Sequence, residues 1–165
     1  MIRAVTTFGY LGLLRPAPGT WGSAAAVALG LAIDRYLGFP ALVLATAAVT
    51  ALGFWACGQA LAGRPDEDPA EIVIDEVAGQ WLALLFPAAA FWNMGLTDWA
   101  VAAYPGWVAA FVFFRLFDIW KPWVVGRIDR QGGAAGVMGD DLAAGLAAGI
   151  ATVLAAGLAH GVLMR

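Results

Sequence analysis

Charge is what this sequence has least of. Only 13% of its residues are Asp, Glu, Lys or Arg, against 62% hydrophobic. Soluble domains carry about a quarter charged residues and about half apolar ones. The shortage excludes an ordinary soluble domain and puts the chain in the membrane class. The nine Lys and Arg residues form no run, and the net charge is −3, which excludes an electrostatic footprint for nucleic acid. With one cysteine, Cys57, there is no internal disulfide and no cysteine-based metal site. Lying inside an apolar stretch, Cys57 reads as a small buried hydrophobe. The single histidine, His160, sits near the end of the last apolar segment, away from every acid, and reads as structural or interfacial. The opening residues have no small-x-small cleavage signal before Arg15, so they do not read as a removed signal peptide. No repeat is present.

What the chain does have is apolar length. Crossing the hydrocarbon core takes about 20 apolar residues per helix, so 165 residues hold about four to six such helices and one domain, 1–165. Residues 2–14 are too short to span and read as an amphipathic or partly buried lead-in helix. Five apolar segments follow: Trp21 to Ile33, Ala41 to Ala62, Val77 to about Ala90, Trp99 to about Phe114, and Leu142 to about Leu163. The first is short and is closed by Asp34 and Arg35. The fourth is expected to kink at Pro105–Gly106 and to continue as helix to Trp120. The last is rich in Ala and Gly, which suits tight packing in lipid. The expected fold is all-α: an integral membrane bundle of about five embedded helices after a short lead-in helix.

The few charges are concentrated. Phe114 to Asp141 holds Arg115, Asp118, Lys121, Arg127, Asp129, Arg130, Asp140 and Asp141 between apolar flanks. Charge kept in such a setting costs free energy and calls for a functional explanation. Arg115, Asp118 and Lys121 recur every three residues on one broad helical face. An i,i+3 ion-pair ladder would explain them, but Phe114, Leu116, Phe117, Ile119 and Trp120 leave little watery face, which favours a buried polar pocket. Residues 123–139 read as the longest loop, with Asp140 and Asp141 starting the last helix. Asp75 and Glu76 open the third apolar segment, where a helix dipole favours acids. The apolar residues before them draw them towards the protein or lipid boundary, and Gly79 opens a gap one turn below Asp75. Asp66, Glu67 and Asp68, between two prolines, read as a solvated turn. In RPAPGTWGS, residues 15–23, Thr20 and Ser23 fit either a helix N-cap or an anion site at a helix start.

Alternating the five segments puts 15–23, 63–76 and 115–141 on one side. Arg3, Arg15, Arg64, Arg115, Lys121, Arg127 and Arg130 share it, against Arg35 and Arg165 opposite. Basic loops stay cytoplasmic, so that side is expected to face the cytoplasm. Asp75, Glu76, Asp118, Asp140 and Asp141 meet there, beside Thr20, Ser23, Arg115 and Lys121. Carboxylates without His or Cys suit a hard cation such as Mg²⁺, and basic groups with helix N-termini suit phosphate. Together they point to phosphoryl chemistry on a lipid head group. A transporter or channel would spread charge through the depth of the spans, and these charges crowd one end. A purely structural subunit would not call for the glycine-rich, phosphate-suited segments.

Four segments in order, PAPGTWGS (16–23), IVIDEVAG (72–79), FRLFDIWKPWVV (114–125) and GGAAGVMGDDLAAG (132–145), resemble the signature segments of the bacterial phosphatidylglycerophosphatase A family over nearly the whole chain. The resemblance implies a multi-pass, inner-membrane, Mg²⁺-dependent phosphatase that converts phosphatidylglycerol phosphate to phosphatidylglycerol and phosphate, with no nucleic-acid partner. It carries function to Asp75, Glu76, Arg115, Asp118, Lys121, Asp140 and Asp141. The five acids are assigned to metal binding and catalysis. Arg115 and Lys121, with Thr20 and Ser23, are assigned to the substrate phosphate.

Overall fold

A computed structural model describes residues 1–63, 69–95 and 105–163, with side chains as far as Ala159. Arg64, the acidic turn Asp66–Asp68, Asp98, Trp99 and Arg165 lie outside the described residues, as does the side chain of His160. Among the described residues every regular element is helical. In chain order these are α1 (Ile2–Thr6), a 3-10 turn (Leu11–Leu13), α2 (Pro18–Leu37), α3 (Phe39–Ala60), α4 (Ile74–Asn93), α5 (Gly106–Trp120), α6 (Val124–Asp129) and α7 (Gly133–Leu163).

The lead-in is two short pieces rather than one helix over 2–14. Its backbone is tied to the segment before α4: Val73 N–H donates to Thr6 O at 2.9 Å, and Arg3 pairs with Glu71 at 3.2 Å. The first apolar helix is longer than the expected Trp21–Ile33. Pro18 sits in its first turn, where a preset φ helps and the missing N–H costs nothing. Asp34 and Arg35 do not end it. Gly38, at φ 85°, does, and Pro40 lies in the first turn of α3.

Helix α4 is central and packs on α2, α3, α5 and α7. Trp81 donates its indole N–H to Ala26 O of α2 at 2.7 Å, which fixes the rotation of α4. On its other side α4 meets α7 through glycine. A Cβ on Gly145 would run into Gly79 O, and one on Gly79 would meet Asp141 O and come within 2.6 Å of Phe114 Cε2. Small residues let helix backbones approach this closely. The gap expected at Gly79 is therefore real, and α7 with Phe114 of α5 fills it.

The 123–139 segment departs most from expectation. It is not a loop: α6 occupies its first half and α7 begins at Gly133. Asp140 and Asp141 consequently lie two turns inside α7. The glycines there let α7 lie against the short helix before it, since a Cβ on Gly136 would come within 2.9 Å of Asp129 O and one on Gly139 within 2.7 Å of Ile128 Cγ2.

Two helices, Phe39–Ala60 and Gly133–Ala159, are long and apolar enough to cross a membrane. Only 33% and 28% of their apolar windows are buried inside the protein. Most of their surface faces outward, the reverse of a soluble core helix. Cys57 is fully buried, as a small hydrophobe would be.

Candidate active site

One end of the bundle encloses a cavity of about 240 Å³. Four separate stretches reach it: the start of α2 (Pro18, Gly19, Thr20), the first turn of α4 (Asp75, Glu76), the end of α5 (Arg115, Asp118, Lys121) and α7 (Asp140, Asp141). Of the nine residues expected to form a site, all but Ser23 line it.

Asp75, Glu76 and Asp141 form its centre. Each offers an oxygen, and these oxygens lie within 4.8 Å of one another. Asp75 and Asp141 are buried. Asp75 Oδ1 accepts from the N–H of Glu76 at 3.0 Å, and Asp140 Oδ1 accepts from that of Asp141 at 2.9 Å. Glu76 Oε2 is buried with no hydrogen-bond partner among the described residues.

The cations stand at the edges. Arg115 NH1 pairs with Asp118 Oδ2 at 2.5 Å and lies 3.9 Å from Glu76 Oε1. Lys121, in a left-handed conformation at the C-cap of α5, bridges Asp140 Oδ2 at 2.6 Å and Asp129 Oδ1. Burial works against its charge, but hydrogen bonds to Asp129 and Asp140 outweigh that and raise its pKa. Two cations thus face six carboxylates, the five expected acids and Asp129. Charge of one sign is costly to bury without compensation, and the orphaned Glu76 oxygen sits within the most crowded part. An oxygen-only cluster of this kind fits a hard divalent cation.

Thr20 and Ser23 are not N-caps. The cap position of α2 is Ala17, which makes no side-chain cap, and both hydroxyl residues lie inside the helix. Thr20 is exposed and lines the cavity. The first-turn amides beside it lack intrahelical partners by position, which suits an anion. Ser23 is fully buried. Its hydroxyl donates to Gly19 O at 2.8 Å and accepts from Arg115 NH1 at 3.3 Å. Expected to touch phosphate, Ser23 instead sits behind the residue that would do so. Its i−4 spacing from Gly19 was a visible signal for back-bonding. Gly19 itself is a close-approach point, since a Cβ there would collide with Glu76 Oε1 and come within 3.2 Å of Arg115 NH1. Asp129 carries no sequence signal for this role, because its partner Lys121 lies eight residues away across a corner that reads as loop.

An apolar helical bundle with membrane-length helices, and with carboxylates and cations gathered in one cavity, has the attributes of a membrane-embedded phosphoric monoester hydrolase. The chain belongs to the phosphatidylglycerophosphatase A family, whose model matches residues 4–156. Proteins named phosphatidylglycerophosphatase A from Haemophilus influenzae and Escherichia coli are each 34% identical to it over 137 residues. These matches cover 82% of this chain and 76% and 72% of theirs. A Bacteroides thetaiotaomicron protein, provisionally named a phosphatidylinositol-3-phosphatase, is 38% identical over 135 residues, or 79% of this chain and 77% of its own. No solved structure matches.

Proposed function

We propose that this protein hydrolyses the terminal phosphomonoester of phosphatidylglycerol phosphate, giving phosphatidylglycerol and inorganic phosphate, with Mg²⁺ as cofactor. Family membership supports the reaction class. The observation that carries the cofactor is the Asp75–Glu76–Asp141 cluster, oxygen-only and with a buried unpartnered oxygen on Glu76. Asp75, Glu76 and Asp141 would hold the ion, with Asp118 and Asp140 completing its surroundings. When bound, Mg²⁺ would neutralise charge on the transferring phosphoryl group and acidify a water.

The protein's own residues do the rest. Arg115 and Lys121 bind phosphate oxygens, Arg115 with a planar fork suited to two of them. Thr20 and the first-turn amides of α2 close the cradle. Ser23 holds the Arg115 guanidinium in place. A carboxylate of the cluster takes the proton from the attacking water, and a proton passes to the departing glycerol oxygen as the phosphorus–oxygen bond to the lipid breaks. The other route has an Asp attack phosphorus and form an aspartyl phosphate. The stereochemical course at phosphorus separates them: inversion identifies direct attack by water, and retention, from two successive displacements, identifies the covalent route.

In the proposed setting α2, α3, α4, α5 and α7 are the five embedded helices of a single domain, multi-pass in the bacterial inner membrane. Arg3, Arg15, Arg115, Lys121, Arg127 and Arg130 favour a cytoplasmic site. A conducting role is not favoured, because the buried polar side chains in the middle of the described helices, Thr46, Gln80 and Thr152, are uncharged, and the buried acid away from the site, Asp34, lies in the last turn of α2. The test is phosphate release by detergent-solubilised protein from phosphatidylglycerol phosphate, phosphatidylinositol 3-phosphate and phosphatidic acid in parallel. Fastest turnover of the first supports the reading, and turnover confined to another substrate contradicts it.

A further inference from the structure

Gln80 is the one fully buried amide side chain among the described residues, and neither its Nε2 nor its Oε1 has a hydrogen-bond partner among them. Leucine would fill similar volume there without stranding a donor and an acceptor, so a glutamine at such a place calls for partners. It cannot turn away to find them, because its neighbours fix α4 on both sides. Gly79 is pressed against α7, and Trp81 is hydrogen-bonded to Ala26 of α2.

The groups that could satisfy it are equally short of partners. Gln80 lies four residues after Glu76, hence on the same helical face and one turn deeper, with Cβ atoms about 5–6 Å apart at that spacing. Glu76 Oε2 is a buried acceptor without a donor, and Arg115 Nε is a buried donor without an acceptor. Arg115 reaches over this face, 3.9 Å from the other oxygen of Glu76. The unmet needs are complementary: the amide has one group of each kind to give.

We infer that Gln80 is a positioning residue, its amide N–H donating to Glu76 Oε2 and its amide oxygen accepting from Arg115 Nε, directly or through one bridging water. It thereby fixes the acid and the guanidinium relative to each other from beneath the cavity. It touches neither substrate nor metal.

Two measurements test this, and only the second rests on the phosphatase reading. The first is a thermal double-mutant cycle in detergent. Gln80→Leu should lower the Tm by about 3 °C or more in the native background, and the penalty should fall by about half when Glu76 is already alanine, since only the bond from Arg115 then remains to be lost. An unchanged or raised Tm in Gln80→Leu, or equal penalties in both backgrounds, overturns the inference. Gln80→Met, which fills the same space with a more flexible chain, replaces Gln80→Leu if that variant does not fold. The second measurement is kinetic. The Gln80→Leu variant should lose about tenfold or more in kcat while KM stays within about threefold, and native kcat would overturn the positioning role. If the native protein releases no phosphate from any lipid, the functional reading fails and the cycle judges Gln80 alone.

Discussion

Arg115 and Ser23 stand 92 residues apart in the chain, yet the guanidinium donates to the hydroxyl at 3.3 Å. The same hydroxyl is anchored on Gly19 O at 2.8 Å. The side chain proposed to bind phosphate, on α5, is thus braced from the start of α2, which lines the same cavity. Ser23→Ala removes the brace without removing the cation. A hydrogen bond to a charged group contributes about 1.5–3 kcal/mol, so the Tm should fall by a few degrees, and kcat/KM for the lipid phosphate, measured well below the melting temperature, should fall by about tenfold or more. Steady-state kinetics beside a melting curve check this.

Gly79 lets α4 and α7 touch where Asp75 meets Asp141. Alanine there would drive its Cβ into Asp141 O and to 2.6 Å from Phe114 Cε2. Both obstacles are large or fixed, so overpacking should cost about 1–3 kcal/mol. Because the displaced backbone carries Asp141, activity measured well below the melting temperature should fall more steeply than stability. Gly58, with open space around it, is the control: Gly58→Ala should leave both unchanged.

Lys121 ties α7 to the corner after α5 through Asp140 and Asp129. Asp129→Asn should weaken activity less than Lys121→Met, since it loosens the lysine rather than deleting it. The raised pKa of Lys121 sets the pH dependence of this tie. A base whose folded pKa lies above its ordinary value of 10.5 adds stability that is fully present below that value and is lost only as pH rises through the raised one. The Tm difference between native protein and Lys121→Met should therefore stay constant from about pH 7.5 to pH 9, where the carboxylates facing it are ionised. A difference that shrinks across that interval would contradict the pairing.

Asp141 is the acid from α7 in the proposed metal cluster. Asp141→Asn keeps its shape and removes its charge, so turnover should fall below detection while the protein still inserts and melts cooperatively. Retained activity above about one part in a hundred would remove Asp141 from the cluster.

The site was more legible in the sequence than the helix boundaries were. Charged residues in an apolar chain mark themselves, and alternating the spans was enough to bring Asp75, Asp118 and Asp141 to one end. Tertiary packing set the rest. The glycines of 132–139 read as loop by propensity, but they let α7 lie against α6, an arrangement without any local signal. Ser23 looked like a phosphate ligand because its hydroxyl sits near a helix start, whereas the helix starts earlier, at Pro18, and turns that hydroxyl inward. Gln80 gave no signal at all, since an amide inside an apolar helix becomes notable only when its burial is known.

Mg²⁺-dependent hydrolysis is tested most directly by phosphate release from phosphatidylglycerol phosphate by the purified, detergent-solubilised protein, before and after exhaustive chelation with EDTA. Release should stop on chelation and return when Mg²⁺ is added in excess. Undiminished release in EDTA, or none under any condition, would contradict this reading.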